Sequence, residues 1–389
     1  ALQSAGYALH SRAVRPACEV AQVIRQLGEQ VERSKQLNHW QKRTLRLIRD
    51  CRTAALGGHL DQCPGCSHLR MSYNSCRNRH CPKCQGLARE DWVAARKAEL
   101  LPVPYFHVVF TLPGELNRLC LYAPERVYDA LFATAWSVID SFAGDGVHLG
   151  ARTGMIAILH TWGQNLSLHP HLHCIVPGGG ISPAGYWKRA RSKGRFLFPV
   201  KALSRVMRAR MVAALRKAFP GEDPQLFRAL FTKPWVVYAK RPFAGPGAVI
   251  DYLGRYTHKI AISNSRLISC DAERVRFRYK DYRDGSTKKV MELSPMEFIR
   301  RFAQHILPRG FVRIRHYGIL SSRKKAVSIP QIILQLQGKI ISLTRYQRSK
   351  APAVVCPCCK KHLMRTILRF DHRGPPARYR NLTTSSEPQ

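Results

Sequence analysis

His169-Pro170-His171-Leu172-His173 sets an imidazole at every second position. An extended strand sends alternate side chains to one face, so these rings line a single side of it. Neutral imidazoles in such a row can hold a divalent metal ion, with His171 and His173 as the natural pair. Later in the chain, Tyr252-Leu253-Gly254-Arg255-Tyr256 places two phenols on one face of a helix. A phenol, with a pKa of about 10, is a weak nucleophile at neutral pH. A metal-held phosphate, oriented in line with it, becomes attackable. Attack would join the tyrosine to a 5′ phosphate and free a 3′ hydroxyl, and the stored bond could be resealed without a nucleotide cofactor. Two phenols would allow one end to wait while the other reacts.

A third ligand must come from a neighbouring element. Thr153 to Gln164 and His169 to Pro177 read as two strands joined by a short loop. If that loop centres on Leu166-Ser167, antiparallel pairing sets Gln164 opposite His169, Trp162 opposite His171 and His160 opposite His173, all on one face. Gln164 is then the favoured third ligand, because a carboxamide oxygen suits a hard cation, with His160 or His169 as alternatives. Residues 154 to 180 contain no Asp or Glu, which weighs against a zinc hydrolase that needs a carboxylate ligand or base.

Residues 51 to 85 form a second cluster of ligating types: Cys51, His59, Cys63, Cys66, His68, Cys76, His80, Cys81 and Cys84. Cys63-Pro64-Gly65-Cys66 and Cys81-Pro82-Lys83-Cys84 each have the spacing of a zinc knuckle. Four thiolates from two such turns predict one closed, structural Zn2+ site. Cys76 or His80 could replace a ligand, or join a second metal with Cys51 or His59. In the tail, Cys356 and Cys359 make a half-site that either completes a zinc with other residues or is simply two thiols. The chain has 13 cysteines, an odd number concentrated in close pairs, which suits metal in a reducing compartment better than a disulfide framework.

The chain has 389 residues, with 64 Lys and Arg against 24 Asp and Glu, a net charge of +40. Such an excess implies a polyanionic partner, and nucleic acid is the expected one. Arg77 and Arg79, with Arg70 and Lys83, would present the zinc module to DNA. Arg274, Arg276 and Arg278 share one face of an alternating strand, and Arg313 and Arg315 one face of another. Trp162, Trp187, Tyr279 and Tyr282 are candidates for stacking on unpaired bases. No apolar run is long enough to span a bilayer, and the first residues carry no signal-peptide pattern, so a cytoplasmic, nucleoid-associated protein is expected.

Positioning these groups calls for an α+β chain. Residues 1–50 read as an N-terminal helical segment, with Val20, Val23, Ile24 and Leu27 at helical spacing. Residues 51–94 form a zinc-ribbon-like module running into a helix, 95–325 carry the strands and helices of the main domain, and 326–389 form a basic helix and tail. The spacing predicts a helix after Pro124, a basic helix over 201–218, and a hairpin turning at Asp284-Gly285. Ser294-Pro295-Met296-Glu297 has the form of a capping box, and a further helix is expected from Pro330.

At this point the chain resembles the two-tyrosine, histidine-hydrophobic-histidine (HUH) rolling-circle transposases of the insertion sequence 91 group. The likeness rests on Cys51 to His59, Ser75 to Cys84, and Phe110-Thr111-Leu112-Pro113. It continues through Trp162 to Leu166, His169 to His173, Tyr252 to Tyr256, Ala261 to Leu267, and Arg315-His316-Tyr317-Gly318. The resemblance implies an N-terminal zinc domain and a HUH nuclease on a ferredoxin-like antiparallel sheet. It implies Mg2+ or Mn2+ at His171 and His173, with Tyr252 and Tyr256 as nucleophiles and His169 as a buttress. It also implies cleavage and joining of single-stranded or hairpin DNA at element ends. Two other readings stay open: a replication initiator or relaxase of the same chemistry, and a zinc-ribbon DNA-binding protein without nuclease activity. The chain lacks a helicase phosphate loop, which argues against large members of the first class.

Overall fold

Apolar residues at helical spacing fold the start of the chain onto itself. The computed structural model describes residues 16–97, 99–190, 197–240, 254, 260–282, 284–343 and 354–383. Helix α1 (Val20–Leu27) buries Val20, Val23, Ile24 and Leu27, and ends at Gly28, whose φ of 49° only glycine adopts without strain. A short α2 (Glu29–Arg33) follows. Helix α3 (His39–Arg49) starts on a capping box, in which Asn38 and Gln41 side chains each accept the other's backbone N–H at 2.9 Å. Then come β1 (Gly58–Gln62), β2 (Leu69–Tyr73) and α4 (Gln85–Lys97).

The middle of the chain builds the main sheet. Strand β3 (Tyr105–Thr111) leads through α5 (Asn117–Tyr122) into the long α6 (Pro124–Gly144), with Pro124 in its first turn. Strands β4 (Gly154–Trp162) and β5 (Leu168–Pro177) form a hairpin, followed by a small ribbon of β6 (Gly179–Ile181) and β7 (Trp187–Arg189). Helices α7 (Val200–Ala218) and α8 (Pro224–Ala229) return the chain to β8 (Val237–Lys240). A second sheet holds β9 (Leu267–Cys270), β10 (Val275–Asp281) and β11 (Thr287–Leu293). Helix α9 (Pro295–Ala303) is capped by Ser294, as its sequence predicts. Strand β12 (Ile314–Gly318), α10 (Lys325–Gln337) and β13 (Arg365–Phe370) complete the chain. Pro330 lies inside α10 rather than at its start. Burial of Ile329, Ile332 and Ile333 holds the helix together across it.

Every strand pairing is antiparallel, and the main sheet runs in the order β12-β4-β5-β3-β8. Strand alternation gives it two different faces. Phe106, Val108, Phe110, Leu159, Leu172 and Cys174 point to one side, against the apolar faces of α6 and α7. The intervening residues, His107, His160, His171 and His173 among them, point to the other. There Ile156, Ile158 and Ile175 pack with Leu101, Trp92 of α4 and the isoleucines of α10. A third core joins α1 and α3 to the β9–β11 sheet and α9. Its polar ties include Trp40 Nε1 to the Leu307 carbonyl and Gln41 Nε2 to the Ala303 carbonyl, both 2.9 Å. The N-terminal helices are thus packed on residues more than two hundred positions away, not set apart as a leading segment.

The β4–β5 hairpin reaches from the main sheet into that third core. Its tip residue Leu166 is fully buried there at φ 63°, a left-handed conformation that burial must stabilise. His305 Nε2 donates to the Leu166 carbonyl at 3.2 Å, while its Nδ1 meets Thr161 Oγ1 at 3.1 Å. Burial lowers the His305 pKa to about 4. His316 is also lowered to about 4, by burial first and then by Arg96 and Lys325. Both rings stay neutral in the fold, whereas the unfolded chain takes up their protons below an ordinary pKa of about 6.5. Their contribution is therefore intact above pH 6.5 and is lost as pH falls toward 4. The unfolding free energy from urea titrations should be lower at pH 5 than at pH 7.5, falling below pH 6.5 by up to about 1.4 kcal/mol per pH unit for each ring. His305→Gln should reduce that slope, and an unchanged slope would contradict the assignment.

Candidate functional site

The hairpin register decides which side chains meet the His171–His173 pair. His160 lies opposite His171 and Ile158 opposite His173, with a bulge between His160 and Trp162. The pairing expected from the sequence, His160 opposite His173 and Gln164 opposite His169, is therefore displaced. The cause is the turn: Gly163 N–H donates to the Ser167 carbonyl at 2.9 Å, and Leu166 is drawn into the third core. Gln164 falls in this turn, where its carbonyl accepts from the Arg266 guanidinium. His160 takes the cross-strand place instead.

Ring nitrogens of His160, His171 and His173 lie within 4.8 Å of one another, and among the described residues no carboxylate joins them. His171 Nε2 and His173 Nε2 are 3.2 Å apart. His171 Nδ1 donates to the His169 carbonyl at 2.7 Å, which leaves the lone pair on Nε2. Burial lowers the His171 pKa to about 4, so the ring is neutral at physiological pH. His169 itself is exposed, its carbonyl accepts from His171 Nδ1, and its ring lies 5.2 Å from the His171 ring. On the inner side, His107 Nε2 lies 2.9 Å from His173 Nδ1, with the two rings within 13° of coplanar. When His173 Nδ1 donates to His107, the His173 Nε2 lone pair turns toward His171. His160 is braced by Trp162, stacked on it at 4.6 Å. The donor set suits a divalent transition ion such as Mn2+ better than Mg2+, which favours oxygen ligands.

Tyr252 and Tyr256 lie outside the described residues. Gly254, between them, is described: it is buried, and a Cβ there would come within 2.3 Å of Val93 Cγ2 on α4. Helix α4 packs on the histidine face of the sheet, where its Arg96 Nη1 is 3.4 Å from His316 Nε2.

The cysteines form two clusters, not the single set of Cys63, Cys66, Cys81 and Cys84. Cys81 and Cys84 meet Cys51 and Cys76, with Cys84 Sγ at 3.5 Å from Cys51 Sγ and 3.7 Å from Cys76 Sγ. Cys63 and Cys66 meet Cys356 and Cys359, with Sγ distances of 3.6 Å for Cys63–Cys359 and Cys66–Cys356. The zinc-knuckle spacing identified the ligands, but each knuckle pairs with a partner that spacing does not reveal. His59 and His80 belong to neither cluster. His80 is buried, and its Nε2 has no hydrogen-bond partner.

The arginines divide as well. Arg274, Arg276 and Arg278 share the exposed face of β10, the first two paired with Glu292. Arg77 is exposed. Arg79 instead donates to the Pro308 carbonyl at 2.7 Å and to the Phe311 carbonyl, tying the zinc module to the approach to β12. Arg313 is buried, and burial, then Arg79, lowers its pKa to about 10. Arg315 binds Asp129 and lies 4.2 Å over the Phe132 ring. These three hold the interior together.

Comparison with known proteins assigns both halves. The family model described as "Transposase zinc-binding domain" matches residues 23–112, and that described as "Putative transposase" matches residues 154–327. The chain is 46% identical over 387 residues to a Sinorhizobium fredii protein named "Putative transposase y4qJ", covering 92% of this chain and 97% of that one. It is 30% identical over 294 residues to the "Transposase for insertion sequence element IS801" of Pseudomonas savastanoi pv. phaseolicola, covering 72% and 70% respectively. No solved structure matches it. The cysteine clusters together with the matched zinc-binding domain support structural Zn2+. No described helix is long and apolar enough to cross a membrane.

His107 tests the geometry of the histidine centre. His107→Leu removes the acceptor that orients His173, and should weaken Mn2+ binding about 10- to 100-fold in a calorimetric titration. Unchanged affinity would remove His107 from the site.

Proposed function

The chain belongs to the insertion sequence 91 family of transposases, and on that premise we propose that it cuts and rejoins single-stranded DNA at element ends through Tyr252 and Tyr256. The observation that carries this reading is the convergence of His160, His171 and His173 on one face of the main sheet. Gly254, packed on α4 on that same side, supports the approach of the tyrosine segment to it.

The strand order supports a ferredoxin-like HUH domain. From β3 the chain runs strand, helix, strand, strand, helix, strand, and these strands lie as β4-β5-β3-β8, the split βαβ arrangement with β12 added at one edge. That arrangement puts the histidine hairpin at the centre of the sheet, where backbone pairing on both sides holds it rigid.

The division of labour follows from the residues. His160, His171 and His173 would hold the cation by their ring nitrogens, and burial keeps the His171 ring neutral. A bound divalent ion would draw charge from the scissile phosphate and fix its orientation. A phenolic oxygen of Tyr252 or Tyr256 forms the new bond to phosphorus as the bond to the 3′ oxygen breaks. The phenol's proton is given up, and the leaving 3′ oxygen takes one. Reversal by a 3′ hydroxyl of another strand completes joining. The basic face of β10 supplies charge suited to the DNA backbone, and Trp162 is placed beside the centre to stack on an unpaired base. An intracellular, nucleoid-associated location follows from this substrate.

The test is formation of a covalent adduct. Protein, Mn2+ and a labelled single-stranded element end should give a protein–DNA species that survives detergent. Tyr252→Phe with Tyr256→Phe should abolish it, and His171→Ala should reduce it at least 100-fold, roughly the loss expected for removing a catalytic metal ligand. An adduct that survives the double tyrosine change would overturn the proposal, and cleavage without an adduct would point to a hydrolase.

A further inference from the structure

We propose that Cys63, Cys66, Cys356 and Cys359 hold a second zinc ion that clasps the two ends of the chain together and so forms a basic cleft for a DNA phosphate backbone. The cleft's ligand rests on the DNA-acting reading above; the clasp does not.

The sulfur geometry is that of a closed thiolate site. A Zn–S bond of about 2.3 Å places tetrahedral sulfurs about 3.8 Å apart. The two measured separations are both 3.6 Å, and all four sulfurs lie within 4.8 Å of one another. Four soft thiolates select zinc over hard cations, and loading would release the thiol protons to solvent. Cys356 and Cys359 lie beyond both stretches matched by the family models.

Both knuckles are built alike. Ser67 N–H donates to the Cys63 carbonyl at 3.0 Å, and Lys360 N–H to the Cys356 carbonyl at 2.9 Å. The same two residues, Ser67 and Lys360, each sit at φ 55°. Such turns aim two sulfurs to one side, and each knuckle alone supplies half of a tetrahedron.

The N-terminal partner is shaped to receive the C-terminal one. A Cβ on Gly65 would come within 2.3 Å of His362 Nδ1. A Cβ on Gly57 would meet the Phe370 carbonyl at 2.4 Å, and one on Gly58 the Phe370 ring at 2.7 Å. Strand β13 then adds to β1, in the sheet order β13-β1-β2, and Thr366 Oγ1 donates to Asp61 Oδ1 at 2.7 Å. β13 is short and mostly exposed, so its backbone pairing gains little from burial. A metal that bridges positions nearly three hundred residues apart would supply what burial does not.

Docking of this segment encloses a cleft of about 1040 Å³. His59, Arg77, Arg369, Arg373 and Arg380 line it, with His59 and Arg369 opposite each other in the β1–β13 pairing. Asp371 is the one carboxylate among its lining residues, and it pairs with Arg373 at 3.8 Å. Guanidiniums gathered along an open groove match phosphates, which accept paired N–H donors.

Purified full-length protein should contain two zinc ions per chain by elemental analysis. Cys356→Ser with Cys359→Ser should retain one. One zinc in the unaltered protein, or two in the variant, would overturn the clasp. Should the variant misfold, alkylation of the unaltered protein decides: all four clasp thiols should resist iodoacetamide until a chelator is added, and ready modification of Cys356 and Cys359 would refute the site. For the cleft, Arg369→Glu with Arg373→Glu should keep both zinc ions. Its affinity for a mixed-sequence single-stranded oligonucleotide should fall at least about tenfold, with a shallower salt dependence. Unchanged affinity and slope would remove the cleft from DNA binding. Neither readout requires covalent cleavage, so loss of the tyrosine chemistry would leave both results standing.

Discussion

The pairing of β4 with β5 is the constraint on which the rest depends. Strand side chains alternate, so a slip of one residue would turn His171 and His173 into the packing against α6 and α7. The register is held at both ends. Within the sheet, β5 lies between β4 and β3, and Phe110, Leu159 and Leu172 fill the helix-covered face. At the tip, Leu166 is buried in a separate core, with Arg266 and His305 fastening the turn's carbonyls. The hairpin is therefore anchored in two cores, and the imidazole row lies between the anchors. This suits a centre whose ligands must hold their places when a bulky polymer enters.

A chain so arranged is not a string of independent units. Helices α1 and α3 share a core with β10 and α9. The first cysteine cluster borders that core through Cys51 and Cys81. Arg79, three residues past Cys76, reaches across to the carbonyls before β12. The C-terminal strand closes on β1. Each tie joins residues far apart in sequence, so the zinc module is braced against the domain that carries the histidines.

The large positive charge has two destinations. Part of it is structural: Arg79, Arg266 and Arg313 are withdrawn from solvent, and burial lowers the pKa of each. Arg79 donates to the Pro308 and Phe311 carbonyls, and Arg266 to the Gln164 carbonyl. Another part is displayed on the outer face of β10 and around the cleft of Arg77 and Arg369. Charge on a sheet face gives affinity for a polyanion without sequence preference.

Residue spacing alone revealed the ligand types, the two-faced strands, the capped helix at Ser294, and the family likeness. These are local properties, because periodicity and short motifs act within a few residues. Tertiary structure decided how those parts combine. Gln164 yielded to His160 because a buried leucine set the turn, and no strand pattern encodes where Leu166 will be buried. The knuckles at Cys63 and Cys81 parted because a four-thiolate site needs only sulfurs that meet in space: Cys76 is close by in sequence, but Cys51, Cys356 and Cys359 arrive from distant positions. Arg313 and Arg315, which look like a DNA-facing pair in the sequence, were taken up by Arg79's neighbourhood and by Asp129. In each case the deciding contact spans a long separation along the chain, and only packing can choose it.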